Sequence, residues 1–426
     1  MSRTNGKIII GKSYIYDVDD DICRLAASIQ LPSEKKELYF EVEKKYKKYL
    51  CNEVADPFVF SLIYYALIKG MDIVCEDPMS EQLYYQLVNY YLPVVTKAII
   101  HFHIISIETK TIPYNANCME KNAVGASVSG GVDSFYTILK HYKKELSSFN
   151  ITHLLVANIL GEYKDEKDIH SKFEIIKKRG KSIANELKLE LVSVYTNVYE
   201  FKHYRMPNYH TFKTCSLVLA LKKLFGVYYF ASGYSIADLK IEAGDTAHYD
   251  LLNLQTISDK KLTFYSSGGE IPRTLKTEYI ASNAIAQKYL QVCNINIDKN
   301  CSLCSKCNRT LSTLDVIGCL GKYDKIFDIG TYNSQRRKIW SDILSRKSEY
   351  DMENSHFAKE RGFVFPKGTK TLAWFKMPYY KMLEKINNVK VIRKVYYFLN
   401  IDVKRFGEEQ AMFYRYEHRS YEENQQ

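Results

Sequence analysis

Apolar and polar positions follow two different rhythms along this chain, and the change comes near residue 120. Before it, short β-rich runs at 7–10, 13–16, 23–31 and 38–43 predict strands, several with alternating burial. Asp56-Pro57 predicts a helix start that runs to Gly70, with aspartate as a cap and proline tolerated in the first turn. A strand is predicted at 72–75, a helix from Ser80 to about Ile99 with a kink at Pro93, and a strand at 103–109. Residues 1–115 therefore read as a small α+β module.

Beyond residue 120, strands predicted at 124–128, 151–158, 189–196, 227–231 and 262–265 are separated by helices at 132–147, 168–187 and 211–225. Such alternation predicts an α/β fold, a parallel sheet with helices on both faces and ligands beyond the carboxyl ends of its strands. The remainder divides into a cysteine-bearing segment, 291–330, and a mainly helical tail, 331–426, with the parallel-sheet domain at 120–290.

The most informative segment lies where the first of these strands meets its helix: Ser129-Gly130-Gly131-Val132-Asp133-Ser134. The glycines allow a tight turn in which successive N–H groups face one anion, and the helix N-terminus adds partial positive charge. Ser129 and Ser134 supply hydroxyls. Asp133 supplies a carboxylate able to hold Mg²⁺ against a polyphosphate. The bland alternative is a Gly-rich turn capped by serine and aspartate.

This segment resembles the SGGxDS signature of the PP-loop ATP pyrophosphatases, the adenine-nucleotide α-hydrolase-like superfamily. The resemblance implies a Rossmann-like, HUP-like core that grips the pyrophosphate end of ATP and exposes the α-phosphate to a substrate oxygen. It further implies an adenylated intermediate, released pyrophosphate and displacement of AMP.

A second glycine motif competes with it. Gly6-Lys7-Ile8-Ile9-Ile10-Gly11-Lys12-Ser13 satisfies the Walker A pattern. Nothing that could form the preceding strand stands before it, and its variable positions are β-branched, so a strand is expected there.

Cys301, Cys304 and Cys307 form two overlapping CxxC steps, with Cys293 upstream. The spacing predicts a closed, structural Zn²⁺ site, with an iron–sulfur cluster as the alternative. Arg273-Thr-Leu-Lys276-Thr277-Glu278, followed by these cysteines, is similar to the second half of the 7-cyano-7-deazaguanine synthases. Gly233-Tyr-Ser-Ile-Ala-Asp238 is similar to their Gly-x-Asn-x-x-Asp segment. The similarity covers about residues 122–320. Ser235 replaces the family's asparagine, the Ser-Gly-Tyr-Pro-Asp-Cys-Arg substrate segment has no counterpart, and the first cysteine spacing is one residue shorter.

The resemblance thus implies a ligase that adenylates a carboxylate or amide oxygen for attack by a nitrogen nucleophile, with a substrate differing from the synthase's, as in specialised biosynthetic or phage-defence relatives. Its cofactors would be ATP, Mg²⁺ and Zn²⁺. Asp133, Arg273, Lys276 and Asp238 are the expected catalytic residues; the backbone from Ser129 to Ser134 is the expected nucleotide cradle. His210 and Lys213 are weaker candidates. A sulfur transferase carrying persulfide on Cys215 and a nucleotide-binding regulatory subunit without turnover remain open.

Composition changes the picture at two points. Net charge is +11, and residues 331–426 hold 19 Lys and Arg against 12 Asp and Glu, a surplus of 7. The basic-aromatic runs Arg336-Arg337-Lys338-Ile339-Trp340 and Val391-Ile392-Arg393-Lys394-Val395-Tyr396-Tyr397 could dock a nucleic acid or acidic protein, or pack as amphipathic helix on a core. A second copy of the chain is a further expected partner. The most apolar stretch, 58–68, is too short to span a bilayer, no secretory signal is recognisable, and the cysteines cluster at metal spacing, so a reducing cytoplasm is expected.

Overall fold

The computed structural model describes residues 6–113, 123–143, 146–158, 166–201, 206–242, 245–346 and 348–388. The described chain is α/β and forms two units, Met1–Glu270 and Ile271–Gln426.

The first unit begins with a meander of β1 (Lys7–Asp17), β2 (Ile22–Gln30) and β3 (Lys35–Glu43), antiparallel to one another. The two strands expected at 7–10 and 13–16 are one strand, with a register shift between Ile10 and Ser13. The Walker-like segment is therefore built into a sheet. Helix α1 (Asp56–Lys69) ends at Gly70, whose φ of 64° supplies the left-handed cap. Eleven of its residues are buried, so it is a core helix rather than a surface one.

After β4 (Asp72–Cys75) and the short β5 (Met79–Ser80), the helix expected at 80–99 appears in three pieces: α2 (Glu81–Gln86), a π turn over Leu87–Tyr91, and α3 (Leu92–Ala98). Pro93 lacks the N–H that would continue the α ladder, and the turn before it widens. The strand expected at 103–109 contracts to β6 (Ile107–Glu108), followed by β7 (Thr111–Ile112).

The alternating half follows: β8 (Ala123–Ser127), α4 (Val132–His141), β9 (His153–Ala157), α5 (Glu166–Leu187), β10 (Glu190–Thr196), α6 (Met206–Ala220), β11 (Phe225–Ala231), α7 (Asp250–Ile257) and β12 (Thr263–Ser267). The sheet order is β12-β11-β8-β9-β10-β3-β2-β1-β4-β6. Its five later strands are all parallel. Numbered from β8, they run 3-2-1-4-5 from β10 to β12, the doubly wound order in which direction reverses beside the first strand.

The break expected near residue 115 is not a break in the sheet. β3 pairs antiparallel with β10, and α1 packs on α6, with Phe212 against Phe60 and Tyr64 at ring separations of 5.1 and 5.5 Å. Buried Lys222 ties the halves further, with Asp56 at 3.3 Å and Asp259 at 2.7 Å. The N-terminal strands extend an edge that the parallel sheet would otherwise leave with unpaired backbone groups.

The second unit contains α8 (Arg273–Ile280), α9 (Ala284–Tyr289), α10 (Ser305–Val316), α11 (Ile329–Ser345), α12 (Glu349–Glu360) and α13 (Thr369–Asn388). Asp328 caps α11 by accepting the Thr331 N–H at 2.9 Å, and Ser348 caps α12. Trp340 is fully buried. Its indole N–H, Arg336 Nε and Nη2, and the Tyr332 hydroxyl all donate to the Asp315 carboxylate, at 3.1, 2.6, 2.8 and 3.0 Å.

In the first basic-aromatic run Ile339 and Trp340 are thus core residues and Arg336 is committed to Asp315, while Arg337 and Lys338 are exposed. The second, 391–397, lies outside the described residues. Truncation after Gly330 should consequently yield insoluble or protease-sensitive protein, because burial of an aromatic such as Trp340 alone is worth about 3–5 kcal/mol. A truncated chain with wild-type melting behaviour would refute this. No described helix is long and apolar enough to cross a membrane.

Candidate anion-binding loop and metal centre

Strand β8 carries the loop to the point where sheet order reverses, between β9 and β11. It is hemmed in closely: a Cβ on Gly125 would lie 2.6 Å from the Phe225 ring. After Ser127 the chain turns through Gly130, whose φ of 81° disfavours a residue with a side chain, and enters α4 at Val132. The first helical bond runs from the Phe135 N–H to the Gly131 carbonyl at 2.9 Å, so the N–H groups of residues 132–134 stand ahead of the ladder.

Ser134 is buried and acts as the loop's own brace. Its hydroxyl donates to the Ser127 carbonyl at 2.8 Å and accepts the Ser129 N–H at 3.2 Å. Ser129 is exposed and accepts the Gly131 N–H at 3.3 Å. Asp133 is half-buried in the first turn of α4. The arrangement can hold an anion on backbone donors with a carboxylate alongside.

Loops after neighbouring strands converge here. The Ile236 N–H donates to the Gly269 carbonyl at 2.7 Å, joining the segments after β11 and β12. His141 on α4 hydrogen-bonds Ser267 at 3.0 Å and stacks on Tyr229. Glu270 accepts the Tyr136 hydroxyl at 2.8 Å and pairs with Lys140. Partial burial pushes the Glu270 carboxyl up, but Lys140, Tyr136 and the backbone outweigh it and hold it at about 2. These anchors were not foreseen from sequence; no motif marks them, since each joins segments far apart in the chain.

Asp238 lies in the short turn Ile236–Asp238 and is exposed. Ser235, at the family's asparagine position, caps that turn by accepting the Ala237 N–H at 3.3 Å. His210 contacts Phe230, Lys213 is buried, and Cys215 is fully buried, with burial pushing its thiol well above the usual range. Such a thiol is packing, not a nucleophile.

Arg273 and Lys276 lie on α8 and so belong to the second unit. Lys276 is buried; Arg273 lines a small polar cleft with Thr274, Thr277, Arg309, Tyr350 and Glu353. His101 and His103 lie outside any strand, and no metal-ligand group among the described residues includes them.

A buried polar cluster also escaped the sequence. The Thr211 hydroxyl donates to Asp250 Oδ1 at 2.7 Å, while Asp250 Oδ2 has no hydrogen-bond partner among the described residues. Burial pushes the Asp250 carboxyl well above its usual range. A raised folded-state value gives full stability below the unfolded value of about 4, lost as pH rises. Asp250→Asn should therefore melt higher than wild type at pH 8, with the gap closing towards pH 4. A pH-independent difference would argue against this.

In the second unit, the Sγ atoms of Cys293, Cys301, Cys304 and Cys307 all lie within 4.8 Å of one another. The Cys301–Cys307 and Cys293–Cys304 separations are each 3.9 Å. Four thiolates around one Zn²⁺ with bonds of about 2.3 Å stand about 3.8 Å apart, so the residues fit a single tetrahedral ion such as zinc. A polynuclear cluster would spread its thiolates over separate irons and farther apart.

Backbone N–H groups of Asn296, Cys304 and Cys307 donate to Cys293, Cys301 and Cys304 at 3.3, 3.3 and 3.4 Å. The Cys307 side chain and N–H hold the Cys304 thiol well below its usual range, while Cys307 itself is pushed up. Buried Asn300 braces the site: its oxygen accepts the Val292 and Cys293 N–H groups at 2.9 and 3.2 Å, and its amide donates to Leu290 and Ile326 carbonyls. Ser302, at φ 58°, accepts the Asp328 N–H. Cys319 stands apart, beside the Ile317 carbonyl.

No protein-family model, curated protein or solved structure matches the chain.

Proposed function

We propose that the protein is a PP-loop ATP pyrophosphatase: an ATP-dependent ligase that adenylates a carboxylate or amide oxygen and passes the activated group to a nitrogen nucleophile, releasing AMP and pyrophosphate. The carrying observation is the Ser129–Ser134 loop at the carboxyl end of β8, at the reversal of a 3-2-1-4-5 parallel sheet. Doubly wound sheets bind ligands at that position.

In this reading the backbone of Gly130, Gly131 and Val132 cradles the β- and γ-phosphates, and Asp133 holds Mg²⁺ against them. Attack at the α-phosphate builds negative charge, which oriented donors and a cation stabilise. Ser129 offers its hydroxyl to the phosphates; Ser134 shapes the loop from beneath. Asp238, exposed on the loop after β11, is available to orient an acceptor or amine. Burial of Cys215 counts against a sulfur carrier at that position, and the retained Asp133 carboxylate favours turnover over a purely regulatory nucleotide subunit. The metal site of the second unit, closed by four thiolates, leaves no open position for substrate and serves folding.

The test is a screen of carboxylic acids and amides with ammonia, amines or sulfide for ATP-dependent pyrophosphate release, with nucleotides resolved by chromatography. AMP and pyrophosphate in equal amounts support the reading. ADP and phosphate as main products overturn it.

A further inference from the structure

Helix α13 is built with its polar face inward. The Lys376 ammonium donates to Ser341 Oγ at 2.9 Å and Asp342 Oδ1 at 2.6 Å, and the Tyr380 hydroxyl donates to the same Asp342 oxygen at 3.1 Å. Arg346 donates to Tyr380 at 3.4 Å, and Ala373 is buried on the same side. At about 100° per residue, Trp374, Pro378, Met382, Phe375 and Tyr379 form one stripe about 140° wide on the opposite side. Trp374 is 66% exposed, Phe375 67%, Tyr379 48% and Met382 51%. A surface helix ordinarily turns such a stripe to the core. This one turns it to solvent.

Charge identifies what would cover it. Lys370 and Lys381 project beside the edge of the stripe nearest Trp374, and both are exposed. From Lys370 to Arg405 the sequence holds nine Lys and Arg against two acidic residues, Glu384 and Asp402. An apolar stripe containing Trp and Tyr, flanked by lysines and nearly free of carboxylates, suits the boundary between headgroups and acyl chains of an anionic bilayer. Nucleic acid fits less well, because the centre of the stripe offers Met and Pro where a phosphate-tracking surface needs Arg and Lys.

We infer that α13 docks the protein peripherally on an anionic lipid surface, with Trp374, Phe375, Tyr379 and Met382 inserted and Lys370 and Lys381 on headgroup phosphates. The helix lies in the interface plane; it does not span the bilayer. This inference is independent of the proposed ATP chemistry.

The chain holds two tryptophans, and Trp340 is fully buried, so a lipid-dependent change in emission reports on Trp374. The full chain is mixed with phosphatidylcholine vesicles with or without phosphatidylserine, then examined by flotation and fluorescence. Flotation with the serine-lipid vesicles, accompanied by a blue shift that Trp374→Phe abolishes, is the expected result. Trp374→Ser with Phe375→Ser should lower partitioning by about tenfold or more. Because both residues are exposed, melting temperature and metal content should stay at wild-type values. Lys370→Glu with Lys381→Glu should also weaken flotation by about tenfold and flatten its salt dependence, because the screened cation–headgroup attraction is what these changes remove. Failure to float with either vesicle overturns the inference. So does a dimer in light scattering that the Trp374→Ser, Phe375→Ser variant splits, or nucleic-acid binding without any vesicle-induced shift.

Discussion

Asp133→Ala is expected to lower ATP-dependent pyrophosphate release by at least about 10²–10³-fold, the range seen when one preorganised charge-stabilising group is removed from a transition state. The variant should melt within a degree or two of wild type, because Asp133 is half-buried on the first turn of α4 and the loop is braced by Ser134. The matched control is Lys12→Ala. Lys12 lies in β1, its N–H held by Glu76 at 3.2 Å, in a strand paired on both sides. That variant should retain activity within about twofold. A dead Lys12→Ala enzyme with an active Asp133→Ala enzyme would transfer the nucleotide site from the loop after β8 to β1.

Cys304→Ser is expected to have the largest effect on stability. A structural Zn²⁺ contributes about 10–16 kcal/mol of apparent binding energy to the fold that holds it, and loss of one of four thiolates forfeits much of that. Stoichiometric metal should disappear on elemental analysis, and limited proteolysis of the full chain should cut first within 271–388. Chelation of the wild-type protein should produce the same cleavage pattern. Cys319→Ser is the control, since its sulfur stands outside the cluster. One zinc per chain retained by Cys304→Ser, or iron in place of zinc in the wild type, would overturn the assignment.

The elements that the sequence revealed were those whose signal is local. Glycine and serine spacing marked the loop at 129–134, and strand–helix alternation marked the parallel half, because both are written within a few residues of each other. Pro93 announced a disturbance in its helix, though not that the turn before it would widen into π geometry. The cysteine set was legible because thiolates able to share a metal centre sit on short, stiff spacings.

What local pattern could not carry was partnership between distant segments. A strand's alternation says which face is buried but not which strand lies beside it, so β3 could not be matched to β10, and residues 1–115 read as separate. Lysine run and lysine stripe look alike in one dimension. Only packing distinguished Arg336, absorbed by Asp315, from the exposed stripe of α13.

By itself, then, the amino-acid sequence determined the tight turn at 129–134, the four-cysteine cluster and the α/β rhythm, each through spacing over a turn or two of chain. The tertiary structure alone decided the 3-2-1-4-5 order that brings that loop to the sheet's reversal point, the fusion of the N-terminal strands into one sheet, and the outward turn of the α13 aromatics. Those outcomes depend on contacts between residues far apart in the chain, and the energy of such contacts is settled by three-dimensional packing rather than by any periodicity a sequence can display.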